Sequence, residues 1–315
     1  MRKLLPYLGF TAVLATLILP IFGVSGYWMR VLSMVFMAVS LSQAMNIMIG
    51  LAGYPAMGNL VFFGTGAYMT AILMTKHWAF PLAALASAAV AAVYAALVGL
   101  PVLRLKGAYF SIATIGINEA TREIVLNLPS LTGGGKGINV PFFPGGVQAQ
   151  QMFFYYLMWG LGALATAVVW YVRSSRLGYG LRALKADEDA AAVIGVRTDR
   201  YKVTAWAISA ALTGLTGAAY AYWLSFLEPA PVFDVVLSVK YYIIAILGGA
   251  GTIVGPILGA FFLELLSELV WSEFMSLHML VLGLTVVLVV IFLPKGLVSL
   301  LQPKEKRTGQ GRRAS

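Results

Sequence analysis

Apolar residues fall in long unbroken runs along this chain, near residues 4 to 22, 29 to 49, 55 to 75, 80 to 102, 107 to 128, 152 to 172, 203 to 225, 236 to 250, 256 to 273 and 277 to 293. About 20 apolar residues carry a helix across the hydrocarbon of a bilayer. The pattern predicts an all-α, polytopic integral membrane protein with about ten crossings, or eight to ten if the shortest run is not one. That run, 236 to 250, fits either a tilted crossing or a re-entrant segment.

Between the runs the polar segments are short, the largest being residues 129 to 151, 173 to 202 and 294 to 315. The expected organisation is one membrane domain over residues 1 to 294, with a polar segment at 173 to 202, and a basic tail from 295 to 315. The tail, rich in Gly, Gln, Thr and Ser, reads as disordered. Arg2-Lys3 followed by an apolar run resembles a secretory leader, but an uncleaved first crossing keeps the crossing number even.

Composition agrees with the pattern. The chain is 60% hydrophobic and 11% charged, against roughly 45–50% and 25% in soluble domains. With no cysteine, thiol catalysis and Cys-held metal centres are excluded. His77 and His278 stand too far apart in sequence to suggest a metal site. No cofactor is expected.

The net charge of +10 is unevenly placed. With the N-terminus inside and ten crossings, 17 of the 22 basic residues fall on the inner side, as expected of a cytoplasmic face. Both termini are then cytoplasmic. The positive charge is accounted for by topology and anionic membrane lipid, so nucleic acid is not an expected partner. Trp28, Trp78, Trp170, Trp206, Trp223 and Trp271 fall near crossing ends, where an indole prefers to sit.

Four features carry candidate chemistry. In residues 173 to 202, Gly178 and Gly180 are expected to break the incoming helix. Leu181, Leu184, Ala191, Ile194 and Val196 then alternate with charges, as in a short amphipathic helix stopping at Gly195. Gly50 to Asn59 and Gly248 to Pro256 are Gly- and Pro-interrupted stretches, which read either as broken helices on a translocation path or as close helix packing. Glu119, Arg122 and Glu123 share one face of a crossing at spacings of three and four. They form either a polar patch on a solute route or a structural pair, since charge at membrane depth must be matched. Glu264 and Glu268, one turn apart, are expected to face a periplasmic partner or another subunit rather than a substrate. The run Gly133-Gly134-Gly135-Lys136-Gly137 lacks the spacing of a phosphate-binding loop, so any nucleotide site belongs elsewhere.

Asp189-Ala190-Ala191, three residues and then Gly195 resemble the coupling loop of ATP-binding-cassette importer permeases. Three further segments resemble the branched-chain amino-acid permeases of the LivH/LivM type, LivM above all. They are Asn46 through Gly50 and Gly53 to Phe62-Phe63-Gly64-Thr65-Gly66; Leu105-Lys106-Gly107 through Tyr109, Thr114, Glu119 and Arg122 to Gly133-Gly134; and Gly248-Gly249-Ala250-Gly251-Thr252 to Gly255-Pro256. Tyr54-Pro55 and Asn59 depart from that family's pattern.

The resemblance implies an ABC importer permease architecture and inward transport of branched-chain or other small amino acids across a bacterial inner membrane. It implies two cytoplasmic ATPase subunits, a paralogous LivH-like permease and a periplasmic or lipid-anchored binding protein as partners. Ala186, Asp189, Ala190, Ala191 and Gly195 would make the ATPase contact. Asn46, Gly53, Asn59, Glu119, Arg122, Glu123, Gly248 and Gly251 are the candidates for the translocation path. Urea or short-amide permeases share these signatures, and a secondary transporter independent of ATP is the other alternative.

Overall fold

The computed structural model describes residues 25–273, 283–284, 291 and 296–301. The expected first crossing, most of the last one, His278 and the basic tail lie outside the described residues. Among the described residues the regular structure is helical apart from one two-residue ladder.

Helix α1 spans Gly26–Asn46 and runs into a wider turn of π type over Ile47–Ala52. It stops because Gly53 takes a left-handed conformation (φ 77°) and Pro55 has no amide hydrogen to continue the ladder. The chain then reverses repeatedly through α2 (Leu60–Thr75), α3 (Phe80–Val102), α4 (Ala108–Leu126) and α5 (Val147–Ser174). Two short helices follow, α6 (Arg176–Ala186) and α7 (Glu188–Val193), then α8 (Thr198–Leu224), α9 (Val235–Gly249) and α10 (Val254–Glu273).

The stretches Gly26–Ala52, Phe80–Val102, Val147–Ser174 and Pro229–Gly249 are each long and apolar enough to cross a membrane. The run at 236 to 250 is a 15-residue helix that gains this length from a one-turn helix, Pro229–Val232, just ahead of it.

Helices α1 and α8 are the hub. α1 packs against α5, α8, α9 and α10, while α8 packs against α1, α2 and α3. At the helix crossings small residues let the backbones approach closely, as in membrane bundles. On α3, Ala83, Ser87, Ala91, Ala95 and Gly99 recur every four residues on the buried face, while Leu82, Leu85, Val93, Leu97 and Leu100 are exposed. The crossing of α2 and α8 is tight because Gly66 lies on Gly214. A Cβ on Gly66 would overlap the Gly214 carbonyl oxygen.

At one end of the bundle, β1 (Ile138–Asn139) pairs antiparallel with β2 (Phe226–Leu227). The opposite end carries Arg104, Lys106, Arg173, Arg176, Arg182, Lys185, Arg197, Arg200 and Lys202 in the loops and short helices between crossings, and is called here the basic end.

Among the described tryptophans expected at interfaces, Trp206 is the exception. It is fully buried, donating to Asn59 Oδ1 at 3.0 Å and meeting Phe62 and Phe110 edge-on. Glu264 and Glu268, expected to face a partner, are engaged within the chain, Glu264 by Lys240 at 2.9 Å and Glu268 by the Tyr27 hydroxyl.

Candidate functional site

At the basic end the incoming helix α5 breaks at Ser175, whose backbone is extended (ψ 170°) and whose hydroxyl caps Val172 O at 2.7 Å. Gly178 and Gly180, expected to be the breakers, lie inside α6. Their role is close packing, because the ring of Tyr201 occupies the space a Gly180 side chain would need. The amphipathic stretch is divided into two helices at Asp187, a residue better used as a cap than inside a helix. Its carboxylate accepts from the amides of Asp189 (2.9 Å) and Ala190 (3.0 Å), starting α7. Helix α7 ends before Gly195 at φ 90°, a conformation that costs other residues strain.

The result is a short helix with two faces. Ala191 is buried beneath it, whereas Ala190, Val193 and Ile194 are exposed, the last two at 88% and 77%. Asp189 is exposed and paired with Lys106 at 2.9 Å, and Ala186 lies exposed at the end of α6.

Beneath α7 lies a buried ion pair that the sequence reading did not single out. Lys202, 3% exposed, donates from Nζ to Glu188 Oε1 at 2.7 Å and to Leu103 O at 2.8 Å. The Tyr54 hydroxyl donates to the other oxygen of Glu188, and Lys202 Nζ lies 3.4 Å from that hydroxyl. Burial pushes the Glu188 carboxyl up, but the hydrogen bonds from Lys202 and Tyr54 outweigh it and hold it below its ordinary range. Burial, then the Glu188 hydrogen bond, push the Tyr54 phenol well above its ordinary value. In the sequence Lys202 is the last cation before an apolar run, and that position was the available signal. Its partners, 14 and 148 residues away, were not readable.

Four of the residues taken for the translocation path meet around one junction. Asn46 accepts from Gly251 N at 2.7 Å and donates to Thr252 O at 2.8 Å, so the break after α1 and the break between α9 and α10 are joined. Gly248 packs against the backbone of Gly255. Lys185 of α6 donates to Gly50 O at 2.8 Å, and its side chain lies against Gly53. Asn59 is separate and fully buried between α2 and α8, held by Trp206, Ser209 and Thr213.

The remaining three candidates form a second locus on α4. Arg122 donates to Glu119 at 2.8 Å, with side chains 35% and 42% exposed, while Arg122 Nε is buried and has no partner among the described residues. Glu123 is exposed beside them, on a face that also exposes Tyr109, Ile112 and Ile124. Among the described residues helix α4 is packed on its other side, through Phe110, Ser111, Thr114 and Asn118. Among the described residues no group of three or more His, Asp or Glu is placed to hold a metal ion.

An all-helical bundle of this construction, with small-residue crossings, two joined breaks and a capped helix standing off its basic end, is a polytopic membrane permease. The family described as the permease component of the branched-chain amino acid transport system matches residues 23–290, and the chain belongs to that family. It is 32% identical to the high-affinity branched-chain amino acid transport permease LivM of Salmonella typhimurium, over 92% of this chain and 75% of that protein. Identity to the Escherichia coli LivM is 31%, covering 90% and 73%. The LivH permease of Salmonella typhimurium is 26% identical over 58% of each chain. No solved structure is significantly similar.

Proposed function

We propose that this chain is one of two membrane subunits of an ATP-driven importer that passes branched-chain or other small amino acids inward across a bacterial cytoplasmic membrane. The observation that carries the reading is α7. An exposed apolar knob, Val193 and Ile194, on a helix capped at one end by Asp187 and turned at the other by Gly195, is a shape that fits a groove in another protein. In this reading the partner is a cytoplasmic ATPase subunit. A second ATPase binds the paralogous LivH-like permease, and ATP hydrolysis belongs to those partners. The basic end is cytoplasmic, since cations are retained on that side, and with an even number of crossings so are both termini.

The open face of α4 supports the second half of the reading. Charged groups within the membrane usually face a cavity or another subunit. Glu119, Arg122 and Glu123 are the residues most suited to meet a zwitterionic solute, and the part-exposed guanidinium of Arg122 suits a carboxylate. The paralogous permease completes the pore across this face, and a periplasmic binding protein delivers the solute at the β1–β2 end. The joined breaks near Gly53 and Gly251 form the seam along which the pore rearranges. Branched-chain amino acids are preferred over amides because the LivM relatives are named for them.

The test is reconstitution with the ATPase and permease partners in proteoliposomes containing the binding protein. Uptake of labelled leucine should require ATP and should be uncoupled by Asp189→Arg or Gly195→Leu while the protein still inserts. Uptake that persists without ATP and follows an ion gradient would overturn the proposal.

A further inference from the structure

Helix α7 has only six residues and is flanked by bendable points, an extended Asp187 (φ −162°) and a left-handed Gly195 (φ 90°). A handle hinged at both ends delivers no motion unless its body is tied to the spans it must move. Its outer tie, Asp189 to Lys106, joins two side chains that are 87% and 58% exposed, and such pairs in water hold little. The inner tie is of a different kind. Glu188, in the first turn of α7, meets Lys202 at 2.7 Å, and Lys202 is 3% exposed.

Three membrane segments converge on those two residues. Lys202 belongs to the first turns of α8, which packs against α1, α2 and α3. The carbonyl that Lys202 binds, Leu103 O, ends α3. Tyr54 lies in the break after α1, one residue from Gly53. On the other side of the Asp187 hinge, Lys185 holds the same break through Gly50 O at 2.8 Å. The break is gripped from both sides of the hinge, and that break is joined through Asn46 to the one at Gly251.

Resting on the importer reading, we infer that the Glu188–Lys202–Tyr54 cluster is the linkage through which a displacement of α7 reaches the break at residues 50 to 54 and the ends of α3 and α8 together. Glu188 and Lys202 are positioning residues: Asp189 belongs to the exposed face that meets the ATPase, and Glu188 is the acidic residue that ties α7 to the membrane helices. Hydrogen bonds in a buried cluster are directional and resist shear, whereas the exposed Asp189 pair can slip without changing its surroundings. The phenol of Tyr54 also packs edge-on against Phe110 of α4 (5.2 Å between ring centres), so the linkage reaches the helix that carries Glu119 and Arg122.

The experiment uses the full complex, with ATPase subunits and binding protein, in proteoliposomes. It measures solute moved per ATP hydrolysed, together with ATPase subunits retained on the permease. Tyr54→Phe, Glu188→Ala and Lys202→Met should retain the ATPase subunits and keep hydrolysing ATP, while solute moved per ATP falls by about tenfold, within the range usual for coupling between sites. Glu188→Gln, which keeps hydrogen-bond partners for Lys202 and Tyr54, should stay nearer the wild type than Glu188→Ala. Tyr54→Phe removes one hydroxyl and keeps the packing with Phe110, so it remains informative even where Lys202→Met does not fold. A wild-type ratio in both Tyr54→Phe and Glu188→Ala overturns the linkage and leaves the importer reading standing. A wild-type chain that retains no ATPase subunit overturns the importer reading itself.

Discussion

The side chain of Asn46 and the backbone of Gly251 are hydrogen-bonded at 2.7 Å across 205 residues of sequence. With the second bond, to Thr252 O at 2.8 Å, a single carboxamide satisfies one donor and one acceptor that the break between α9 and α10 leaves open. Backbone groups freed at a helix break and screened from water need partners within the protein. Replacing Asn46 by Leu should therefore cost about 1–3 kcal/mol for each group left unpaired. Asn46→Asp should be destabilising too, since a carboxylate can accept from Gly251 but not donate to Thr252. Thermal unfolding in detergent measures both, and an unchanged melting temperature in Asn46→Leu contradicts the account.

The α2–α8 crossing gives a prediction with a built-in control. A methyl on Gly66 overlaps the Gly214 carbonyl, and one on Gly217 overlaps that of Phe63, so neither can be relieved by a side-chain rotation. Gly66→Ala and Gly217→Ala should force the helices apart and lower both the yield of monodisperse protein and its melting temperature. Gly116, on the open face of α4, has nothing within 4 Å of an added Cβ. Gly116→Ala should be neutral or stabilising by up to about 1 kcal/mol through helix propensity. Equal behaviour of the three variants would remove the close-approach explanation.

How far the sequence could be read follows from what each feature depends on. Apolar runs locate helices because a bilayer imposes their length locally, so α3 and α5 fall close to the runs at 80 to 102 and 152 to 172. The division of the cytoplasmic-type segment at Asp187 was missed because Leu181, Leu184 and Ala191 continue one periodicity through it, and only the cap reveals the stop. Trp206 was misjudged because position near a span end says nothing of depth within the bundle. The pairing of Glu188 with Lys202, or of Asn46 with Gly251, needs tertiary structure, since neither partner announces the other at a fixed spacing.

The Glu188 carboxyl also predicts a pH dependence. Its folded-state value is held below the ordinary range by Lys202 and Tyr54 despite burial. A group depressed in this way contributes stability above its unfolded value and loses it as pH falls through the folded one. Stability of the purified protein should therefore decline below about pH 4.3, the ordinary glutamate value. In Glu188→Gln that part of the decline should be absent, and stability near neutral pH should be lower than wild type. Melting temperatures of the two proteins across the acid range test this. Identical acid slopes would show that Glu188 is not a source of the dependence.

The open face of α4 is decided by two variants that separate a transport role from a packing role. Glu119 and Arg122 are 42% and 35% exposed and paired at 2.8 Å. If the face is wetted by a pore, the pair contributes only about 0–1 kcal/mol to stability, and Arg122→Gln should leave the melting temperature nearly unchanged. The same variant removes a cation suited to a carboxylate, so uptake should need a higher solute concentration to reach half its maximum. If the face instead met lipid, each charge would cost about 2.5–3.5 kcal/mol of insertion free energy. The double variant Glu119→Leu with Arg122→Leu would then be markedly more stable and transport normally. Loss of transport in the double variant, with stability near the wild type, is the outcome expected of a solute route.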